Sequence, residues 1–287
     1  DLYEQTETGK RIFDKATELM GFSMPQLCFE ENDRLDITEY TQAAMVTASI
    51  AMMRVLEENG IKPDVAAGLS LGEYCALAAA GVMSDEDAIR TVRQRGILMQ
   101  EAVPVGEGAM AAILALDASA IEEVTGAMEG VWIANYNCPG QIVISGEKAA
   151  VEDACEKLKA AGAKRAVMLN VSGPFHSGML ADAGEKLGEV LSQVELHEPQ
   201  IPYVANVTAQ YVKNAAEVKE LLTRQVSSSV RWQQSVEAMI ADGVDTFIEI
   251  GPGKTLAGFM RKISRDVKTL NVEKLEDISK VAEALKS

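Results

Sequence analysis

Aromatic residues make up only 5% of this 287-residue chain, which holds just two histidines, two tryptophans and four cysteines. With so few rings, its core has to be built from Ala, Val, Leu, Ile and Met. Cys28, Cys75, Cys138 and Cys155 are scattered, with no C-x-x-C pair and no histidine at ligand spacing. That argues against a disulfide framework or a structural zinc site, and a reducing cytoplasm is the expected setting. Positive charge is also short: 27 Lys and Arg against 43 Asp and Glu leave a net charge of −16. A nucleic-acid binder needs a basic face, so that class is set aside. The longest apolar run, Ala43 to Met53, is broken by Thr47 and Ser49 and stopped by Arg54. It falls well short of the roughly 20 residues of a membrane span, and no membrane segment is expected. Nor does the start show a basic stretch followed by an apolar one, so no secretory signal is expected.

Apolar residues are plentiful, at 47%, and their spacing alternates between two periods. Ile12, Phe13, Ala16, Leu19 and Met20 share one helical face, with Gly21 as a stop. A second helix, from about Glu39 to Glu58, is apolar nearly all round and is expected to be buried, ending at Gly60. Val65-Ala66-Ala67-Gly68 reads as a buried parallel strand, and Leu71 to Ala80 as a helix. Ser84 and Asp87 have capping spacing for a helix to about Met99. From Gly108 the order becomes strand, helix, strand, strand, helix, strand, closing at Arg165–Val171, with a turn at Pro139-Gly140. That is the ferredoxin-like βαββαβ pattern, expected as a small subdomain at 105–172. Helices near 180–194, 216–224 and 235–241 then alternate with strands at 201–207 and 246–250. Such alternation predicts a mostly parallel sheet covered on both faces.

Gly68-Leu69-Ser70-Leu71-Gly72 lies where a predicted strand gives way to a predicted helix, the context of a nucleophile elbow. Small residues on both sides permit a sharp turn that lifts the Ser70 hydroxyl off the sheet. The Leu71 N–H, at the start of the helix, is placed to bind a developing oxyanion. The plainer reading is a strand–helix turn that happens to contain serine. An alcohol nucleophile needs a base, and two histidines make the search short. His197, in the polar stretch Glu195-Leu196-His197-Glu198, reads as a solvated loop residue. His176, in Ser172-Gly173-Pro174-Phe175-His176-Ser177, falls at the junction of the subdomain with the rest and is the candidate base. The expected fold class is therefore α/β, an α/β-hydrolase-like parallel-sheet core (1–104 and 173–287) with the ferredoxin-like insertion.

Four segments occur in order: Gly68-Leu69-Ser70-Leu71-Gly72-Glu73-Tyr74; Arg93-Gln94-Arg95-Gly96 through Met99-Gln100-Glu101-Ala102; Gly173-Pro174-Phe175-His176-Ser177; and Gly251-Pro252-Gly253-Lys254. Together they resemble the malonyl-CoA:acyl carrier protein transacylase family over nearly the whole chain. The resemblance implies Ser70 as the nucleophile that carries malonyl as an ester and His176 as its base. It implies Arg95 as the partner of the malonate carboxylate, a pairing for which a guanidinium fork is suited and a lysine is not. It implies the main-chain carbonyl of Gln225 as the group that orients the base, and Phe175 as a residue favouring malonyl over branched substrates. By residue type alone, Arg95 reads as a solvated helix residue, Gln225 as an exposed helix-end amide and Phe175 as ordinary core. The implied partners are malonyl-CoA and holo-acyl carrier protein, with the chain a cytoplasmic monomer. No cofactor or metal is implied, because a coenzyme A thioester is already an activated donor.

Two departures stand out. Leu69 occupies a position where the family usually has His, and activity is expected to survive that change. The family also begins with a strand and a Gly-Gln-Gly loop that completes the oxyanion hole, whereas this chain starts at Asp1, in what reads as the following helix. The chain as written is expected to be impaired, since losing one oxyanion donor costs on the order of 100–1,000-fold in rate. Two alternatives are a plain serine hydrolase and a non-catalytic acyl-carrier or scaffold protein. The acyl carrier protein is acidic as a class, so docking on this acidic chain needs a local basic patch, for which Lys254, Arg261, Lys262 and Arg265 are candidates.

Overall fold

Capping chemistry sets the helices of the first half. The computed structural model, which describes residues 1–286, opens with the short α1 (Leu2–Gln5). Thr6 then accepts a hydrogen bond from the Gly9 N–H and starts α2 (Glu7–Met20), which Gly21 ends in the left-handed conformation. Ser23 caps α3 (Met24–Phe29). The nearly all-apolar stretch becomes α4 (Thr38–Glu58), buried along most of its length as expected. β1 (Ala66–Ala67) leads through the Ser70 turn into α5 (Gly72–Ala79). Ser84 caps α6 (Asp85–Glu101), and Asp85, Glu86 and Asp87 in its first turn match the positive end of the helix dipole. α6 crosses α4 closely at Gly96, where a Cβ would lie 2.7 Å from Glu39 Cα.

The middle of the chain forms β2 (Gly108–Leu114), α7 (Ala118–Gly126), β3 (Val131–Cys138), β4 (Gln141–Glu147), α8 (Lys148–Ala160) and β5 (Arg165–Met168). The four strands pair antiparallel in the order β3-β4-β2-β5. Ile113, Ile133 and Ile144 form one face and pack with Ile121, Val151 and Leu158 of the helices. Met110, Ala134 and Val143 form a cluster against which Leu169 and Phe175 pack. Tyr136 N–H donates to Val230 O (2.9 Å) and Val230 N–H to Ala134 O (2.8 Å), tying β3 to the last third of the chain.

That last third comprises α9 (Ala181–Leu191), β6 (Tyr203–Val204), β7 (Tyr211–Val212), α10 (Ala215–Gln225), α11 (Trp232–Ala241), β8 (Thr246–Ile250), α12 (Thr255–Ile263), β9 (Lys268–Val272) and α13 (Leu275–Ala284). Here the structure corrects the expected sheet. Among the described residues there is no single parallel sheet. β1 pairs parallel with β6, which pairs antiparallel with β7, while β8 and β9 form a separate parallel pair. The strands predicted at 65–68 and 201–207 shrink to two residues each. Pro202 brings no N–H to the ladder, so β6 begins only after it. Ala205 and Asn206 then leave the sheet for a turn closed by Ala209 N–H on Ala205 O, and Gly68 leaves it for the elbow. Ile248 and Ile250 of β8 pack with Met52, Val55 and Leu56 of α4.

Candidate active site

Ser70 sits at the tip of the turn between β1 and α5 with φ 53°, a left-handed backbone that a non-glycine residue adopts only where its surroundings hold it there. The turn is tight because of Gly68, where a Cβ would lie 1.9 Å from Gly72 O. Asn206, in the turn just after β6, braces the elbow: its Oδ1 accepts the Ser70 N–H (2.6 Å) and its Nδ2–H donates to Gly68 O (2.6 Å). Leu71 is the cap residue of α5, so its N–H stands at the helix N-terminus beside Ser70.

His176 reaches Ser70 from the loop before α9, with Nε2 2.7 Å from Ser70 Oγ and Nδ1 2.8 Å from Gln225 O at the end of α10. A carbonyl only accepts, so Nδ1 carries the proton and Nε2 is the bare nitrogen facing the serine hydroxyl. Burial, reinforced by the nearby Arg95 charge, pulls the His176 pKa down to about 4, so the imidazole is neutral at physiological pH. His176 too has a positive φ, 57°.

Arg95 is 1% exposed, which overturns its reading as a solvated helix residue. It lies on the inward stripe of α6 with Ala88, Val92 and Met99, and Gly96 draws that stripe onto α4. Its Nη1–H donates to Gln42 Oε1 (2.7 Å), and its Nη2–H donates to Ser70 Oγ and to Gln225 Oε1 (both 3.0 Å). None of these acceptors is a carboxylate, and the buried Nε has no hydrogen-bond partner among the described residues. Burial also lowers the Arg95 pKa from its ordinary value.

Gln225 is not an exposed amide. It is fully buried, and its Nε2–H donates to Ser70 O (3.0 Å) and Glu73 Oε2 (2.7 Å). Phe175 packs between the main core and the Met110 cluster of the small sheet. His197 is an exposed loop residue, as its polar surroundings implied. Asn206, Gln42 and Glu73 were not singled out from the sequence. For Gln42 there was a signal: a lone amide inside an otherwise apolar helix, destined for burial and so in need of a partner. Among the described residues no cluster of His, Cys, Asp and Glu is placed to hold a metal, and no helix is long and apolar enough to cross a membrane.

A neutral imidazole on a serine hydroxyl, with a buried guanidinium against the same oxygen, is an arrangement that can support nucleophilic acyl chemistry. The sequence pattern of the acyl transferase domain family matches residues 8–280. The malonyl CoA-acyl carrier protein transacylase of Bacillus subtilis is 49% identical over all of this chain and 92% of its own length. The chain belongs to this transacylase family. The crystal structure of an acyl carrier protein S-malonyltransferase from Vibrio cholerae superposes with a TM-score of 0.95 at 41% identity, covering 98% of this chain and 94% of that one. A malonyl-transacylase bound to a type II polyketide synthase acyl-carrier protein superposes equally well, at 39% identity over 99% and 94% of the two chains. The transacylase fold is thus mixed α/β, and the enzyme is an acyltransferase.

Proposed function

We propose that this enzyme moves malonyl from malonyl-CoA to the phosphopantetheine thiol of holo-acyl carrier protein in two half-reactions, through a malonyl-Ser70 ester. In the first, His176 Nε2 takes the Ser70 proton as Oγ attacks the thioester carbonyl. The Leu71 N–H stabilises the oxyanion, the C–S bond breaks, and the imidazolium returns the proton to the departing coenzyme A thiolate. In the second, the carrier thiol gives its proton to His176 and attacks the ester, and Ser70 recovers a proton as it leaves. The Gln225 carbonyl keeps Nδ1 protonated throughout and stabilises the imidazolium. Arg95 turns its fork from Ser70 Oγ to the free carboxylate of malonate. An acetyl group makes no charge-assisted bond to that fork, which disfavours it.

One observation carries this reading above all: a fully buried arginine within hydrogen-bond distance of the nucleophile, with no carboxylate among its partners. Phe175, at the junction of core and small sheet, shapes the acyl pocket against branched substrates. The coenzyme A thioester serves as a substrate, and no cofactor takes part. The strand order β3-β4-β2-β5 with two helices on one face supports 105–172 as a ferredoxin-like subdomain inserted in an α/β-hydrolase-like unit made of 1–104 and 173–287. The exposed Lys254, Arg261, Lys262 and Arg265 around α12 are the docking patch for the acidic carrier. The enzyme acts as a cytoplasmic monomer. The test is partition: label from malonyl-CoA goes to the carrier thiol in preference to water, and release of free malonate at the same rate with and without carrier would refute transfer.

A further inference from the structure

The hydrogen bonds behind Ser70 form a line that the transfer steps leave unused. Arg95 Nη2–H donates to Gln225 Oε1 (3.0 Å), and Gln225 Nε2–H donates to Glu73 Oε2 (2.7 Å). The amide therefore lies between a guanidinium and a carboxylate, its dipole aligned with both. Glu73, in the first turn of α5, is 1% exposed. Its Oε2 also accepts the Asn206 N–H (3.2 Å), while its buried Oε1 has no hydrogen-bond partner among the described residues. The groups facing it are few. Arg95 comes from α6, Tyr203 from β6 and Tyr74 from its own helix, while Gln225 and Asn206 are uncharged and His176 lies within the field of the same Arg95.

We propose that Glu73 is the counter-charge of Arg95 in the empty site, and that it takes up a proton when the carboxylate of an acyl group occupies Arg95. The proposal rests on the reading of Arg95 as the seat of the malonyl carboxylate. In the empty site one positive and one negative charge balance through the Gln225 amide. A second carboxylate at Arg95 leaves the buried cluster with one uncompensated negative charge, and repulsion then favours the neutral form of Glu73. Burial already holds the Glu73 carboxyl at about 7, so the proton is within reach at neutral pH. It comes from solvent and binds Oε1, the oxygen without a partner, while Oε2 keeps its two donors. Glu73 is thus a positioning residue that acts through Gln225 and couples charged-acyl binding to proton uptake. Acetyl, with no carboxylate, makes no such demand.

The experiment is calorimetric titration of Ser70→Ala enzyme, which cannot be acylated, with malonyl-CoA and acetyl-CoA in buffers of different ionisation enthalpy. The coenzyme moiety is common to both ligands, so its own titration cancels in the difference. At pH 7.5 malonyl-CoA is expected to take up about half a proton more than acetyl-CoA, and adding Glu73→Gln, which keeps the acceptor but not the charge, abolishes that excess. No excess, or the same excess with Glu73→Gln (which would place the proton on His176), overturns the proposal. If Arg95→Lys leaves malonyl-CoA binding unchanged, the reading of Arg95 fails and the proposal falls with it, a result distinct from Arg95-dependent binding without proton uptake. Should Glu73→Gln not fold, infrared difference spectra of the Ser70→Ala enzyme decide. A protonated-carboxyl band that appears with malonyl-CoA and not with acetyl-CoA supports the proposal, and its absence refutes it.

Discussion

Arg95 shows how much one residue's burial decides. A guanidinium at 1% exposure has given up its water, and its three acceptors, Gln42, Ser70 and Gln225, are all uncharged. Charge-assisted bonds from a fork to a carboxylate are worth about 1.5–3 kcal/mol, which is about 10- to 150-fold in rate or affinity. Arg95→Lys is accordingly expected to lower kcat/KM for malonyl-CoA by that factor while leaving acetyl-CoA nearly untouched, measured by coenzyme A release. Equal losses on both substrates would mean a general disturbance of the site. Asn206→Ala belongs to the same scale. It removes two neutral hydrogen bonds, from the Ser70 N–H and to the Gly68 carbonyl, and at about 1 kcal/mol each a loss of the acylation rate on the order of tenfold or more is expected in a burst assay. Residue type alone made Arg95 and Gln225 look like surface groups, because nothing local says which face of α6 or which end of α10 turns inward. The resemblance supplied what the spacing lacked. Ser70 and His176 were more legible, since a serine between glycines at a strand–helix junction and one of only two histidines leave few choices.

At the scale of elements, the site depends on two close approaches that glycine permits. Gly68 lets the elbow fold onto Gly72, and Gly96 lets α6 lie on α4 so that Arg95 faces Ser70. Gly96→Ala is expected to cost about 1–3 kcal/mol of stability by overpacking, read from urea unfolding, with a loss of malonyl transfer larger than the loss of fold explains. Gly68→Ala meets backbone and not a flexible side chain, so a properly folded, fully active variant would contradict this account of the elbow. The helices were largely readable from their ends: Gly21 and Ser84 mark ends that the structure keeps. The short strands were not. Apolar runs at 65–68 and 201–207 carry the composition of strands, but Pro202 and the departures of Gly68 and Asn206 toward the site cut them to two residues each. Function claims backbone that composition would assign to the sheet.

At the scale of the whole molecule, two buried groups set the pH response in opposite directions. Folding raises the Glu73 carboxyl from an ordinary value near 4.5 to about 7 and lowers the His176 imidazole from 6.5 to about 4. Between pH 4.5 and 6.5 the folded protein keeps a proton on Glu73 that the unfolded chain has lost, so this group takes stability away as pH rises. Over the same window the unfolded chain holds a proton that folded His176 lacks, so this group adds stability as pH rises. Each slope is about 1.4 kcal/mol per pH unit, and the two nearly cancel. Unfolding free energy from these groups is therefore flat across that window in the wild type. Glu73→Gln is expected to make it climb with pH from 4 to 6.5, and His176→Ala to make it fall from 4.5 to 7. Urea titrations at a series of pH values check both signs.

The central claim, that Ser70 is the nucleophile of a malonyl-selective transfer, is tested most directly by intact-protein mass after brief mixing with malonyl-CoA or acetyl-CoA. The account predicts one malonyl adduct per chain, absent from Ser70→Ala and weak with acetyl-CoA. An adduct that persists in Ser70→Ala, or acetyl and malonyl adducts formed equally, would contradict it.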